Sequence, residues 1–206
     1  MLIKLYPENP DPRKIEQIVN CLQRGGVIIY PTDTIYSIGC DLNHHKAFER
    51  VAKLKGIKPE KAQFSIICND LSMLAFYSKN VNTPVYKLMK RALPGPYTFI
   101  LNASSEVPKL FKTNKKTVGI RVPDLSIPRL LAKELTRGLI ATSVHDDDEV
   151  IEYTTDPELI HEKYGDLVDI VIDGGYGHNL ASTIIDCTEE EPTILREGAG
   201  DINILH

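Results

Sequence analysis

Apolar residues Ile15, Ile18, Val19 and Leu22 recur at i, i+3, i+4 and i+7, the spacing that lines one face of an α-helix. Pro12 precedes them and Gly25-Gly26 follows, which are start and stop signals for that helix. The next apolar positions are contiguous, Val27-Ile28-Ile29-Tyr30, a β-rich run that Pro31 closes. A second helix is predicted from Ala47, Val51 and Leu54, capped by Asn43, with Lys46, Arg50, Lys53 and Lys61 left for solvent or ligand. Residues 64–68 then read as a buried strand. Helical spacing returns over 71–77 and 85–92, Pro94-Gly95-Pro96 interrupts it, and 97–101 and 117–122 read as strands. A helix over 125–135, a strand over 139–142, a short helix opened by Pro157 and a strand over 168–172 follow. Gly174-Gly175-Tyr176-Gly177 is a turn, and strands over 182–186 and 193–196 close the pattern. Strands alternating with helices, with several short strand-to-strand joins, predict an α/β fold with a twisted mixed sheet, parallel and antiparallel.

Length and composition narrow the class without naming a function. The 206 residues are 42% hydrophobic and 25% charged, the make-up of one globular domain over 1–206 with a core of its own. No apolar run reaches the roughly 18 to 20 residues of a membrane span, and MLIKLYPENP turns polar before a signal-peptide core forms. A cytoplasmic protein is therefore expected. Cys21, Cys40, Cys68 and Cys187 have no metal-like spacing and read as reduced thiols. Phosphate-loop, dinucleotide-binding and zincin motifs are missing.

Charge is more telling than its sum. Residues 1–145 hold 22 Lys and Arg against 11 Asp and Glu, whereas 146–206 hold 2 against 17. Either the two parts neutralise each other across one fold, or the basic clusters around 46–61 and 109–121 form a phosphate site.

The candidate chemistry sits at strand ends, where α/β folds place ligands. Thr32, Asp33 and Thr34 follow the strand that ends at Tyr30, either as a ligand-facing group or as a turn built by its own side-chain bonds. Lys55 and Lys58 flank the step from helix to strand and are suited to clamp a triphosphate, though solvated lysines are the plainer account. Arg121 falls inside a strand, half buried and paired, its partner an acid such as Asp124 or a phosphate. Ser143, Thr142 and His145 cluster at another strand end without the nucleophile-elbow motif that a serine hydrolase needs. His44-His45 reads as a solvated helix start, and Asp146-Asp147-Asp148 as an acidic loop.

Seven segments in order, PTDTIYSIGCD, KLKGIKPEKAQFSIIC, LPGPYTFIL, VGIRVPD, ATSVH, STIID and ILREGAGDI, resemble the YrdC/YciO family over nearly the whole chain. The opening YPENPDPRKIEQ and the segment ICNDLS resemble its YciO branch. The resemblance implies a YrdC-like α/β fold with a basic concave face. It also implies threonylcarbamoyl-AMP synthesis from L-threonine, bicarbonate and ATP with Mg2+ carried by the nucleotide, a step towards threonylcarbamoyladenosine in tRNA. Double-stranded RNA or tRNA binding without synthesis is the alternative it implies. By matched position, Thr32, Thr34 and Tyr36 fall in the threonine and nucleotide pocket, and Lys55 and Lys58 hold ATP phosphates. Arg121, Ser143, His145, Ser182 and Arg196 match the remaining contacts. Thr34, Lys55 and Lys58 are the positioning candidates, with no catalytic residue assigned. The chain departs from the family pattern at three places: Lys55-Gly56-Ile57-Lys58-Pro59 stands for Lys-x-Arg-Pro, Ser143-Val144-His145 for Ser-x-Asn, and Tyr36-Ser37-Ile38 for YGL.

Overall fold

The computed structural model describes residues 1–109, 116–144 and 154–205. Strands β1 (Leu2–Lys4), β2 (Val27–Tyr30), β3 (Ser37–Cys40), β4 (Ser65–Ile67), β5 (Tyr97–Asn102), β6 (Thr117–Arg121), β7 (Leu139–Ser143), β8 (Ile170–Asp173), β9 (Thr183–Asp186) and β10 (Thr193–Arg196) form one sheet. Their order is β1-β8-β2-β3-β7-β4-β6-β5-β9-β10. Four neighbouring pairs, β1 with β8, β2 with β8, β4 with β6 and β5 with β9, are parallel, and the others are antiparallel. The mixed α/β architecture expected from the sequence is the one observed.

Among the described residues six α-helices, α1 (Pro12–Gln23), α2 (His45–Leu54), α3 (Leu71–Tyr77), α4 (Thr83–Ala92), α5 (Ser126–Glu134) and α6 (Pro157–Tyr164), cover the sheet unequally. On one face Ile38, Ile66, Phe99, Leu101, Val118, Ile120, Ile140 and Ile185 join buried residues of α2, α3, α4 and α6 in one core. On the other face α1 and α5 pack only on one end, where Ile15, Ile18, Leu22, Ile127 and Leu131 meet Ile3, Ile28, Tyr30, Leu139 and Ile172. Each such burial contributes roughly 1.5 to 3 kcal/mol. The rest of that face has no helix above it among the described residues, and this gap is where the site lies.

The local signals explain most boundaries. Asp11, Asp70, Asn82 and Asp156 cap α1, α3, α4 and α6, each accepting a backbone N–H of the first turn. The cap of α2 is His44 rather than Asn43: His44 Nδ1 accepts the Ala47 N–H at 3.3 Å, while the Asn43 N–H is spent on Asp41 Oδ1 at 3.0 Å. Arg50 is not left free either, because it pairs with Asp169 at 2.9 Å. Strands β1 and β3 were not expected from the pattern. The first is three residues long, and the second alternates Ser37 and Gly39 with Ile38 and Cys40, which reads as turn-like punctuation. Gly39 is required there, since a Cβ would lie 1.8 Å from the Ile140 carbonyl oxygen of β7.

Candidate functional site

Residues two apart on a strand share a face, and registered residues on adjacent strands share it too. Starting from Ser37 on β3, the register leads to Ser143 and Ala141 on β7, Ser65 on β4, and Gly119 and Arg121 on β6. It continues to Ile100 and Thr98 on β5, Ile184 on β9 and Arg196 on β10. Apart from Ile100 and Ile184 this row is small or polar, where the opposite row is mostly large and apolar. Most of it, with Gln63, Thr142 and Ser182, lines a cleft of about 180 Å³ on the uncovered face. Gly119 keeps the floor low, because a Cβ there would come within 3.4 Å of Ser65, Thr98 and Ile100 side-chain atoms.

Two guanidinium groups and no carboxylate line this cleft among the described residues. Arg121 is held from behind: its Nη2 donates to Asp33 Oδ1 at 2.8 Å and to Thr34 Oγ1 at 2.9 Å, with arginine and aspartate side chains each 8% exposed. Asp33 is fixed in turn, because its Oδ2 accepts the Asp124 backbone N–H at 2.9 Å. The partner of Arg121 is thus Asp33, and Asp124 contributes a backbone N–H instead of its carboxylate. The Nε of Arg121 is buried with no hydrogen-bond partner. An orphaned donor on a buried cation is costly unless something binds it.

Arg196 forms the rim. Its Nη2 donates to the Ser182 carbonyl at 2.8 Å, and Ser182 Oγ lies 2.7 Å from Thr98 Oγ1. Partial burial and then the charge of Arg121 lower the arginine's pKa from its ordinary value. A cation whose charge a neighbouring cation disfavours is relieved by an anion between them.

The remaining expected residues are placed as follows. Thr34 is buried behind Arg121, and Thr32 bonds the Ile35 carbonyl at 2.8 Å and lines a neighbouring depression with Asp33 and Asp124. Lys55 donates from Nζ to the Ser143 carbonyl at 3.0 Å, at the end of β7 beside the cleft. Lys58 is exposed at the start of a single 3-10 turn, Pro59–Lys61, and does not line the cleft. Tyr36 does not line it either: it is buried, donating to the Gly175 carbonyl at 2.7 Å and accepting the Gly174 N–H at 3.2 Å. Burial raises its pKa and keeps the phenol protonated. His145 and the acidic loop at 146–149 lie outside the described residues. Sequence reasoning omitted Ser37, Ser65 and Thr98 from the site. The signal for them was period-two alternation of small polar residues on strands whose other face is apolar.

All four cysteines are free thiols. Among the described residues no group of three or more His, Cys, Asp or Glu is placed to hold a metal ion, and no helix is long and apolar enough to cross a membrane.

A sheet of this order with a hydroxyl-and-guanidinium cleft defines a recognisable class. The chain matches the Sua5/YciO/YrdC family, described as "Telomere recombination", over residues 20–198, and belongs to that family. It is 39% identical to YciO of Escherichia coli over 200 residues, 96% of this chain and 95% of that protein. The crystal structure of E. coli YciO superposes with a TM-score of 0.92 at 36% identity, covering 100% of this chain and 99% of that one. A threonylcarbamoyl-AMP synthase of Coxiella burnetii is 29% identical over 167 residues, 80% of this chain and 87% of that one. Pyrococcus abyssi Sua5 complexed with L-threonine superposes with a TM-score of 0.84 at 26% identity, covering 96% of this chain and 57% of that one.

Proposed function

We propose that this cleft binds L-threonine and ATP and forms threonylcarbamoyl-AMP. The observation that carries the reading is a cleft that, among the described residues, is lined by two guanidinium groups, Arg121 and Arg196, and by no carboxylate. Such a site is made for an anionic oxygen. The relatives supply the chemical class, since one is a threonylcarbamoyl-AMP synthase and another was solved with L-threonine.

The reaction needs no protein nucleophile. The threonine amine adds to bicarbonate carbon with loss of water, and a carbamate oxygen then attacks the α-phosphorus of ATP as pyrophosphate leaves. Mg2+ arrives as part of the nucleotide substrate. The protein's task is to align the carbamate with the α-phosphate and to stabilise the added charge. In this chain Arg121 and Arg196 serve as donors to anionic oxygens, and Ser143 and Ser182 serve as neutral donors along the strand ends. Lys55 lies close enough to Ser143 to join a phosphate contact, and Lys58 extends the basic edge outward. Lysines in both places, without the fork geometry of arginine, predict a weak grip on the triphosphate.

Thermal unfolding with ATP-Mg2+, with L-threonine, and with both plus bicarbonate tests the reading. Stabilisation by the pair beyond either ligand alone, with threonylcarbamoyl-AMP detected in the same sample, is expected. No shift with any combination would sink it.

A further inference from the structure

Helix α4 carries Lys87, Lys90 and Arg91 at i, i+3 and i+4, so the three cations share one face of the helix. All three are exposed. Among the described residues the side chains of Lys87 and Lys90 enter no hydrogen bond or ion pair, although like charges at this spacing disfavour one another. The dipole at the end of α4 offsets that cost for Lys90 and Arg91, which lie in the last turn. Lys87, a turn earlier, has no such compensation.

These cations rim a groove of about 890 Å³. Pro84 and Leu88 of α4 form one wall, and Pro192, just before β10, faces them with Leu205 of the closing 3-10 turn, Ile202–Leu205. Both walls are fixed. Leu88 is buried in the core beneath α4, and Leu205 packs on the same core. Arg91 Nη2 donates to the Ile204 carbonyl at 2.9 Å, and the Tyr97 hydroxyl donates to the Asp201 carbonyl at 3.2 Å, so the closing turn is tied to helix and sheet. The groove exists before anything enters it, and none of the residues lining the cleft on the uncovered face lines it.

We propose that this groove docks an acidic amphipathic segment of a partner protein, whose apolar side chains seat between Leu88, Pro192 and Leu205 while its carboxylates meet Lys87, Lys90 and Arg91. Charge complementarity selects the occupant: three cations and one carboxylate, Glu191, surround an apolar floor. A peptide chain can carry carboxylates opposite the lysines and an uncharged residue opposite Glu191. A nucleic-acid backbone repeats its charge at every step, and it offers the apolar floor nothing. The proposal is independent of the function assigned to the cleft.

Fluorescence anisotropy of the full chain with a labelled peptide of alternating Glu and Leu pairs tests it. Saturable binding is expected, weaker by about tenfold or more when every Glu of the peptide is replaced by Gln, and likewise when every Leu is replaced by Ser. The double variant Lys87→Glu/Lys90→Glu alters exposed side chains only, and about a tenfold loss of peptide affinity is expected at an unchanged unfolding midpoint. Leu205→Ser should weaken the same peptide without changing the dependence of binding on salt. Absence of binding, equal binding of the Gln peptide, or an unchanged affinity in the double variant overturns the proposal. A single-stranded RNA oligonucleotide held as tightly as the peptide, and released by the double variant, overturns it in favour of a general polyanion surface. A dimer of the unsubstituted chain that the double variant dissociates, seen by sedimentation, overturns it in favour of a second copy.

Discussion

Arg121 shows how a single side chain couples the fold to the site. Its strand position makes it half of a buried ion pair with Asp33, and the same residue lines the cleft. Removing the counter-charge while keeping the shape leaves a buried guanidinium without compensation. Asp33→Asn is therefore expected to destabilise the protein by about 3 kcal/mol, read as a lowered urea midpoint at unchanged slope. Arg121→Lys keeps the charge but not the planar guanidinium, whose Nη2 bonds both Asp33 and Thr34 and whose other nitrogens a lysine cannot supply. Loss of most ligand-induced stabilisation is expected, and a variant stabilised as fully as the parent would show that the fork is dispensable. At this scale the sequence was partly legible. An arginine inside a strand announced a pair, but the choice between Asp33 and Asp124 was hidden because it depends on which loop the hairpin from β2 to β3 brings over β6. The same limit applies to Tyr36, which neighbours the ligand-facing motif in sequence yet ties down the Gly174-Gly175 turn.

The strands supply the site by parity, and here the sequence held more than a motif search extracts. Ser65 and Thr98 alternate with Ile66 and Phe99, and Ser182 and Ile184 with Thr183 and Ile185, so mostly small or polar residues, Ile184 excepted, fall on one face and mostly large apolar ones on the other. What the pattern lacks is the order of strands, which is set by pairings across the chain such as β7 inserted between β3 and β4. That insertion needs a close approach at Gly39. Gly39→Ala is expected to cost more than about 2 kcal/mol or to prevent folding, since the backbone oxygen of Ile140 has no rotamer by which to yield. Soluble protein with parental stability would mean that β3 and β7 are spaced more widely than described here. Helix ends were easier to read, because a cap acts within three residues: Asp70→Ala is expected to cost about 1 kcal/mol through loss of the bond to the Met73 N–H, measurable by the same unfolding curve.

At the scale of the molecule, the basic first 145 residues and the acidic remainder meet in the pair of Arg50 with Asp169. The two apolar cores lie beneath such surface contacts, and buried groups within them set how stability depends on pH. Burial, and then the charge of Asp70, raises the Cys68 thiol's pKa well above its ordinary value near 9, and Cys40 is raised likewise by burial and Asp41. Burial and Asp186 push Cys187 up to about 12. For an acid of this kind the unfolded chain loses the proton first. Above pH 9 the unfolded state then binds fewer protons than the native one, and stability falls as pH rises. Each thiol kept protonated contributes a slope of about 1.4 kcal/mol per pH unit until its native pKa is reached. Urea unfolding at intervals from pH 8 to pH 11 should show a decline beginning near pH 9. Cys68→Ala, although less stable at pH 8, should decline less steeply by about one proton's worth, because all other groups titrate alike in both proteins. Parallel curves for the two proteins would mean that Cys68 ionises in the native state, and that the core around α3 and β4 admits water that the packing described here excludes.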